Sequence, residues 1–429
     1  MQILVLAAGE GKRMWPIVEE KYLLPFLGQP LIYHNLKHLS QIANFDQFII
    51  VTKESSKGAI AEIAQSLNLK FQIRLQNEPT GMSDAILSAK DLLDGELVII
   101  NAEDVIEPKI FEGVVNVQEA DIVLTGLQVK KYFPGGYIKK GLGDRVEGIV
   151  EKPGEGNEPS DLVKLVVDYF KDGQQLINYL QKAKSSKDDV YEVALDQMIQ
   201  DGLKVRFAKY SGVWLPLKYP WHILDITTYF LSQVEQEISP GAKVSSKAII
   251  EGKVIIEEGA KVFEGAAIKG PAYIGKNCIV GNNSMIREVD LEAGCVTGFN
   301  SDITRSYIGA NCWFHTNYIG DSVIEGDFGM GSGAVLANLR LDNQTIKVAE
   351  QKIDTGRNKL GLIAGRGARI GVNASTMPGV RVGSNSLVGP GVVLHQDIKD
   401  DTKILVKQEY QTSEHTPVLT SYEQFRKKI

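Results

Sequence analysis

The stretch LAAGEGKRMWP, residues 6–16, contains the residue types of a phosphate-binding loop. It follows and overlaps the apolar run ILVLAA (3–8), which predicts a short buried strand. Gly9 and Gly11 let the backbone approach a ligand and point its amides at phosphate oxygens. Arg13 can bind a phosphate through two parallel hydrogen bonds. The stretch matches neither G-x-x-x-x-G-K-S/T nor G-x-G-x-x-G, so on its own it fits an anion-binding loop or an ordinary turn.

A second candidate for chemistry is His315, in the stretch HTNYIGDS. A neutral histidine can accept a proton near pH 7, which is the task of a general base. A single histidine in a regular repeat more often lies on the surface and has no catalytic role. His315 therefore fits either role on the evidence of its own segment.

Residues 1 to about 230 alternate short apolar runs with segments of helical period. The runs predict buried strands: ILVLAA (3–8), FIIVT (48–52), FQIRL (71–75), ELVIIN (96–101) and IVLTGL (122–127). Helical patterns lie between them, as in PLIYHNLKHLSQIA (30–43) and KGAIAEIAQSL (57–67). This alternation predicts a Rossmann-like α/β domain with a mostly parallel sheet and helices on both faces.

The sequence pattern changes near residue 238, where an aliphatic side chain begins to recur at every sixth position. The consecutive members are Ile238, Val244, Ile250, Ile256, Val262, Ile268, Ile274, Val280 and Ile286. The register slips near residue 290 and returns over 370–394. A six-residue repeat predicts a parallel β-helix whose aliphatic side chains point inward, whereas the alternative, a β-sandwich, would follow period two.

These patterns divide the chain into a domain over 1–230, a β-helix over 231–400 and a C-terminal tail over 401–429. Residues 339–362 break the hexads and predict an inserted loop, and 421–429 predict a short helix.

Composition excludes several classes of protein. The 429 residues carry a net charge of −6, so no global charge favours nucleic acid or an anionic membrane. Three cysteines without a CxxC motif predict neither a disulfide framework nor a zinc site; their seventeen-residue spacing predicts small residues stacked in the β-helix. Since no leader or membrane-spanning run is present, we expect a soluble cytoplasmic protein.

The motifs of the first half resemble, in order, those of the sugar-1-phosphate nucleotidylyltransferases. The opening loop is similar to the family's L-A-A-G-x-G-T-R-M/L-x-P, and Lys21 begins a match to its K-x-x-x-P-h-x-G. The stretch QNEPTGMSDAI is similar to the base-reading Q-x-x-x-x-G-T-A-x-A through Gln76 and Gly81. Asp104 stands at the family's metal aspartate, and the order is completed by Gly136 and by Glu151, Lys152 and Pro153.

The resemblance implies transfer of a nucleotidyl group from UTP or dTTP to a sugar-1-phosphate, with release of pyrophosphate. The acceptor would be glucose-1-phosphate or an N-acetylhexosamine-1-phosphate. It implies Mg²⁺ held by Asp104 and, on weaker grounds of spacing, by Asp225. Arg13 would neutralise the leaving phosphates, and Lys21 would contact the sugar phosphate or the α-phosphate. The implied binding residues are Ala7, Ala8, Gly9, Gly11, Gln76 and Gly81 for the nucleotide, and Gly136, Glu151 and Lys152 for the sugar.

Three departures from the family pattern affect selectivity more than the reaction class. Lys12 stands where a threonine is usual, which removes a hydroxyl donor. Glu103 replaces the glycine before the metal aspartate and adds a carboxylate. Met82 and Ser83 replace the usual Thr-Ala after the base-reading glycine.

Together the two halves resemble the bifunctional N-acetylglucosamine-1-phosphate uridylyltransferase/glucosamine-1-phosphate acetyltransferase family and its archaeal-type relatives. That family carries H-x-x-Y-x-G-D in a left-handed β-helix that commonly packs as a trimer. The resemblance therefore implies a homotrimer and an acetyltransferase site that uses acetyl-CoA, with His315 as base and with Tyr318, Asn338 and Lys347 beside it. Only Arg305 stands near the position of the family's sugar-phosphate lysine.

Two other functions remain open at this point. The β-helix alone could be an active acyltransferase, or the chain could be a non-catalytic, nucleotide-sugar-binding regulatory subunit. The presence of Arg13, Lys21 and Asp104 argues against both. We expect a nucleoside triphosphate and a sugar-1-phosphate as partners, with no nucleic acid and no membrane.

Overall fold

Two architectures follow each other along the chain: an α/β domain and then a parallel β-helix. The computed structural model describes residues 1–42, 45–76, 80–117, 119–186, 189–416, 422 and 426–427. The predicted fold class is confirmed for both halves.

A nine-stranded sheet forms the centre of the α/β domain. Its strands are β1 Gln2–Ala7, β2 Gln47–Thr52, β3 Phe71–Leu75, β4 Leu97–Asn101, β5 Ile122–Gln128, β6 Gly136–Lys140, β7 Val146–Glu151, β8 Leu162–Phe170 and β9 Val205–Tyr210. Strands β4, β1, β2 and β3 lie side by side in that order and pair in parallel. β8 runs antiparallel to β4 and also to β5 and β6, while β9 pairs with β5 in parallel. All five runs predicted as strands lie in this sheet, and the parallel part carries the opening loop.

Seven α-helices accompany the sheet; the first six cover its two faces, and the seventh packs in an apolar cluster shared with the second half of the chain. They are α1 Leu31–Ser40, α2 Glu54–Ser66, α3 Met82–Ser88, α4 Lys109–Val115, α5 Gly173–Lys182, α6 Val190–Gln200 and α7 His222–Gln233, among the described residues. Successive side chains of β1 point to opposite faces: Ile3 and Val5 pack with α1, α2 and α4, whereas Leu4 and Leu6 pack with α3, α5 and α6. The run is apolar throughout because both faces of this strand are covered.

The second half winds as a β-helix whose short strands stack in three rows, each pairing in parallel from coil to coil. Row one contains Glu237–Ile238, Val254–Ile256, Ala272–Ile274, Asp290–Leu291, Tyr307–Ile308, Val323–Ile324, Ile363–Ala364 and Arg381–Val382. Row two contains Ile249–Glu251, Ala267–Lys269, Met285–Arg287, Asp302–Thr304, Tyr318–Gly320, Val335–Leu336, Ser375–Thr376 and Val393–Leu394. Row three contains Lys243–Val244, Lys261–Val262, Ile279–Val280, bridges at Val296 and Trp313, and then Gly329–Met330, Arg369–Ile370, Leu387–Val388 and Lys403–Ile404.

The hexad register slips near residue 290 because the coils become shorter. Ile256 pairs with Ile274 eighteen residues later, but Ile274 pairs with Leu291 after seventeen and Ile308 with Ile324 after sixteen. All five side chains stay buried, so the core remains continuous while the period changes. The cysteines are buried and unpaired inside these coils, in agreement with the stacking prediction: Cys278, Cys295 and Cys312.

The α/β domain docks against row one of the β-helix. Buried carboxylates of the β-helix accept hydrogen bonds from backbone amides between Arg13 and α1: Glu325 from Val18 and Glu19 (2.9 and 2.7 Å), Asp290 from Leu27 (3.1 Å) and Glu292 from Gly28 (3.0 Å). Trp15 also donates through Nε1 to Asp400 at 3.1 Å. The β-helix therefore fixes the segment that follows the opening loop.

Residues 339–362 leave the coils and form a hairpin, Lys347–Val348 with Ile353–Asp354. Buried side chains of this segment share one apolar cluster with the α/β domain and row one: Ile346, Val348 and Leu360 with Phe26, Trp221, Tyr307 and their neighbours. The inserted segment thus strengthens the contact between the two halves.

The final β-helix strand, Lys403–Ile404, lies inside the segment treated as a tail in the sequence. The helix predicted over 421–429 lies mostly outside the described residues. None of the described helices is long and apolar enough to cross a membrane.

Candidate active site

A cleft opens where β1, β3 and β4 end, on the carboxyl side of the parallel strands. Its first half has a volume of about 620 Å³ and is lined by the opening loop, Gln76, Gly81 and Glu103. A second half of about 380 Å³ adjoins it and is lined by Asp104, Gly136, Glu151 and Lys152. The carboxyl edge of an open parallel sheet is the usual place for ligands in such folds.

The opening loop turns sharply at Gly11, whose φ of 63° lies in the left-handed region. The amide of Met14 then donates to the carbonyl of Gly11 at 2.7 Å, and the Met14 side chain is buried beneath the turn. Lys12 turns to its neighbour Glu10, with 2.5 Å between Nζ and Oε2, and its side chain is 83% exposed. The tight turn therefore presents Arg13, rather than Lys12, as the loop's unpaired cation in the described structure.

Arg13 and Asp104 face one cleft. Arg13 lines both halves, with its guanidinium carbon 5.7 Å from the ring centre of Tyr219. Asp104 lines the second half. The structure thus brings together the cation and the carboxylate that the motifs place far apart in sequence.

Lys21 also lines the cleft, but its ammonium forms an ion pair with Glu103. Both side chains are largely buried, with 12% and 19% of their surfaces exposed. Glu103 is the extra carboxylate noted in the sequence, and this ion pair is its structural role.

Gln76 is buried and held by two hydrogen bonds from its side-chain amide. The Nε2 group donates to the carbonyl of Gly81 at 3.2 Å and to Oδ2 of Asp84 at 2.9 Å. Gly81 has a φ of 128° and directly precedes α3. Sequence reasoning missed Asp84, although a carboxylate in the first turn of the helix after the glutamine was a visible signal. Residues 77–79 lie outside the described structure.

The sugar-binding candidates meet at the far end of the cleft. Gly136 of β6 pairs with Glu151 of β7 across the antiparallel ladder. A Cβ atom at position 136 would lie 3.1 Å from Oε2 of Glu151, so the glycine leaves room for this carboxylate. Lys152 lies 3.1 Å from the other carboxylate oxygen, Oε1. Lys164 and Glu192 line the same end and were missed because β8 and α6 carry no motif.

Asp104 accepts a hydrogen bond from Nε1 of Trp214 at 3.1 Å. Burial, reinforced by the nearby Glu103 carboxylate, raises the pKa of Asp104 to about 6. Trp214 reaches this point because Trp214–Pro216 pairs antiparallel with Asp104–Ile106. Lys218 follows that strand and lines both halves of the cleft, and burial lowers the pKa of its ammonium group.

The structure does not bring Asp225, predicted as the second metal ligand, into the cleft with Asp104. Asp225 lies in the first turn of α7 and lines neither half of the cleft. This turn faces the inserted segment, where Arg357 Nη1 lies 2.5 Å from Oδ1 of Asp225. Within the described ranges, no group of three or more His, Cys, Asp or Glu side chains is arranged to hold a metal.

The β-helix candidates divide between the two ends of one strand, Tyr318–Gly320. His315 is exposed before this strand, and its backbone amide donates to Asn317 at 2.8 Å. After the strand, Asn338 donates to Asp321 at 2.5 Å, and Arg305 donates to the same carboxylate at 2.8 and 2.9 Å.

Tyr318 lies on the same side as Asn338. A Cβ atom on Gly320 would lie 2.8 Å from the Tyr318 hydroxyl and 2.4 Å from Nδ2 of Asn338, so glycine is needed between them. Lys347 is exposed on the hairpin of the inserted segment. Among the described residues of this chain, no hydrogen bond joins the His315 side chain to Tyr318 or Asn338.

Comparison with known proteins agrees with this geometry. Residues 2–216 match the family model described as nucleotidyl transferase, and residues 253–288 match the model described as bacterial transferase hexapeptide. The chain belongs to the nucleotidyl transferase family. The resemblance predicted from the motifs is thereby confirmed.

Relatives in this family share both halves of the chain. The bifunctional protein GlmU of Methanococcus maripaludis strain S2 is 30% identical over 95% of this chain and 98% of its own. The bifunctional sugar-1-phosphate nucleotidylyltransferase/acetyltransferase of Sulfurisphaera tokodaii is 30% identical over 93% of this chain and 98% of its own. The GlmU of Methanocaldococcus jannaschii is 29% identical over 95% and 98%.

Proposed function

We propose that this protein transfers a nucleotidyl group from UTP or dTTP to glucose-1-phosphate or an N-acetylhexosamine-1-phosphate, releasing pyrophosphate. One observation carries the proposal: Arg13 and Asp104 line a single cleft, with Gln76 in one half and Glu151 in the other. A triphosphate and a sugar phosphate can then meet between them.

The reaction needs positioning and charge neutralisation more than covalent help. An oxygen of the sugar phosphate attacks the α-phosphorus of the nucleotide, and the bond from this phosphorus to the pyrophosphate oxygen breaks. Arg13 and the amides of Gly9 and Gly11 hold the leaving phosphates. When the substrates bind, the Lys21 ammonium leaves its ion pair with Glu103 and binds a phosphate oxygen.

Recognition occupies the two ends of the cleft. Gln76 and the backbone at Ala7, Ala8 and Gly81 bind the base, and the bond to Asp84 holds the glutamine amide in place for this task. At the other end Glu151 binds sugar hydroxyls beside Gly136, and Lys152 adds a phosphate contact.

We propose that the reaction uses Mg²⁺ and that Asp104 binds this ion. Asp104 fits this ion, because Mg²⁺ in phosphoryl-transfer sites is commonly held by one or two carboxylates together with substrate phosphates. When bound, the ion neutralises charge that builds up on the phosphates. Asp225 has no part in this site.

Pyrophosphate release tests the proposal. Wild-type protein is incubated with UTP or dTTP and a panel of hexose and amino-hexose 1-phosphates in the presence of Mg²⁺. At least one pair should release pyrophosphate, and Asp104→Asn should slow that release about 100-fold or more. Failure of every pair in the wild type would remove the proposed reaction.

A second activity, acetyl transfer from acetyl-CoA to an amino-sugar-1-phosphate, is supported by the proximity of Tyr318 and Asn338 and by the name of the Sulfurisphaera tokodaii relative. The amine would attack the thioester carbon and His315 would take the amine proton. The carbon–sulfur bond would then break, and this proton would pass to the sulfur, so that CoA leaves as the thiol. Because His315 lies at the opposite end of the strand, we propose that Lys347 or other groups of a second chain complete the site. Release of free CoA with glucosamine-1-phosphate or galactosamine-1-phosphate is the test, and its absence with both would exclude the activity.

We propose a homotrimer, in which the β-helices pack through the surface left free by the α/β domain. Large apolar side chains on or directly after row three support this: Phe263, Trp313 and Leu387 are 42%, 57% and 42% exposed. Light scattering should give three times the chain mass, and Trp313→Asp should lower it. A monomeric wild type would contradict both the trimer and the shared acetyltransferase site.

A further inference from the structure

With one exception, the lysines that line the cleft are already paired with carboxylates. The pairs are Lys12 with Glu10, Lys21 with Glu103, Lys152 with Glu151 and Lys164 with Asp168. The exception is Lys218, whose ammonium has neither an ion pair within 4.0 Å nor a hydrogen bond among the described residues. Its positive charge therefore has no direct contact with a carboxylate, although Asp104 and Glu151 lie close enough to attract it electrostatically.

Lys218 is held on the same wall of the cleft as Asp104. Its Nζ atom lies 4.4 Å from the ring centre of Phe133 and 5.7 Å from that of Trp214, the residue that donates to Asp104. Aromatic faces stabilise a cation without neutralising it. The ammonium is thus fixed in position and free to bind an anion.

The location of Lys218 indicates which anion it binds. It lines both halves of the cleft, as does Arg13, so the two cations lie where the halves join. The proposed substrates meet at this junction, where the α-phosphate of the nucleotide faces the phosphate of the sugar. A partly buried ammonium gains more from an anionic ligand than an exposed one, because fewer water contacts compete.

We propose that Lys218 is a further catalytic residue, which binds the phosphate oxygens around the bond that forms; this rests on the function proposed above. The motifs assign such a contact to Lys21. The ion pair between Lys21 and Glu103 instead leaves Lys218 as the lysine ready to bind phosphate in the unliganded protein.

Kinetics of three variants test the role. Lys218→Met keeps most of the packing on Phe133 and Trp214 but removes the charge, and Lys218→Arg keeps the charge. Lys139→Met is the matched control, because Lys139 is 57% exposed and pairs with Glu147 outside the cleft. Lys218→Met should lower kcat for pyrophosphate release about 100-fold or more. Lys218→Arg should recover part of this loss, and the control should stay at the wild-type value.

Titration calorimetry of nucleotide binding tests the role of Lys218 independently of the proposed reaction. UTP or dTTP, whichever the wild type binds, should bind at least about tenfold more weakly to Lys218→Met, since a lost charged hydrogen bond is worth roughly that much. The corresponding nucleoside lacks phosphates and should show no such weakening. Should the wild type release no pyrophosphate from any pair, the reaction fails while this comparison still tests phosphate binding.

Several results would overturn the role of Lys218. One is that Lys218→Met keeps the wild-type kcat and triphosphate affinity. A second is that the Lys139→Met control loses as much kcat or affinity as Lys218→Met. A third is that the wild type does not bind the triphosphate. Thermal melting followed by circular dichroism verifies that each variant is folded. Lys218→Gln, which is also uncharged, gives the same comparison if the methionine variant does not fold.

Discussion

The two candidate sites of this protein are built in different ways. The cleft gathers Arg13, Gln76 and Asp104 from strand ends that are far apart in sequence but belong to one chain. In the β-helix, His315 and Asn338 lie at opposite ends of one short strand, and His315 is exposed. An α/β sheet collects residues at its edge, whereas a solenoid spreads them over a surface, which a second chain would complete in the proposed trimer.

Arg13→Ala should have the largest effect, because it removes the cation shared by both halves of the cleft. We expect kcat/KM for pyrophosphate release to fall about 1000-fold, with acetyl transfer unchanged. Steady-state assays of both activities on the same preparation make the measurement. Arg145→Ala, at an exposed position outside the cleft, serves as the control. Equal loss of both activities would show that the sites are not separate.

His315→Ala should give the converse result with a smaller magnitude. Loss of a general base lowers the rate about 100-fold or more, so CoA release should fall while pyrophosphate release stays at the wild-type value. His395→Ala, another exposed histidine of the β-helix, is the matched control. Unchanged CoA release in His315→Ala would remove His315 from the site.

Glu292 lies where the β-helix contacts the α/β domain, and its raised pKa predicts that the stability of the protein depends on pH. Burial raises the pKa of Glu292 from 4.5 to about 7, beside Asp290, Tyr273 and Tyr307, while the amide of Gly28 donates to its carboxylate. At pH values between 4.5 and about 7, the folded protein therefore binds more protons at this carboxyl than the unfolded chain does. The free energy of unfolding should therefore fall as pH rises from 4.5 to about 7 and then level off.

Glu292→Gln should remove this contribution, which is on the order of 3 kcal/mol, because glutamine can accept the same hydrogen bond without titrating. Calorimetric melting at pH 5.5 and pH 8 would show a smaller difference in the variant than in the wild type. Glu264→Gln, in an exposed pair with Lys247, should behave as wild type. An unaltered pH difference in Glu292→Gln would contradict the role of this carboxyl.

Lys12→Ala should have the smallest effect. Lys12 is next to Arg13, but its side chain is 83% exposed and paired with Glu10. Exposed pairs of this kind contribute little, so kcat/KM should change less than about fivefold. A loss in Lys12→Ala as large as that in Arg13→Ala would mean that the loop acts through its total charge rather than through one guanidinium.

Sequence predicted the part of the cleft that follows regular strands. Arg13, Gln76 and Asp104 each follow a parallel strand, and the carboxyl ends of such strands meet at one edge. Trp214 and Lys218 could not be predicted in the same way, because they reach the cleft through the pairing of Trp214–Pro216 with Asp104–Ile106. No periodic pattern signals a pairing between two such short and distant segments.

Sequence also left the contact between the two halves undetermined. Asp290 and Glu292 occupy ordinary polar positions of a repeat, and only the docked domain shows that they bind the backbone of Leu27 and Gly28. The position of Asp225 outside the cleft could not be predicted for a related reason. Its spacing from the motifs fits a metal ligand, but the direction of α7 turns it toward Arg357.

A crystal structure of the protein with its nucleotide sugar tests the central claim most directly. We expect the base beside Gln76, the sugar beside Glu151, and both phosphates between Arg13, Lys218 and Asp104. Density for the ligand in another part of the molecule, or phosphates with no contact to Arg13 and on the side of the domain away from Asp104, would contradict it.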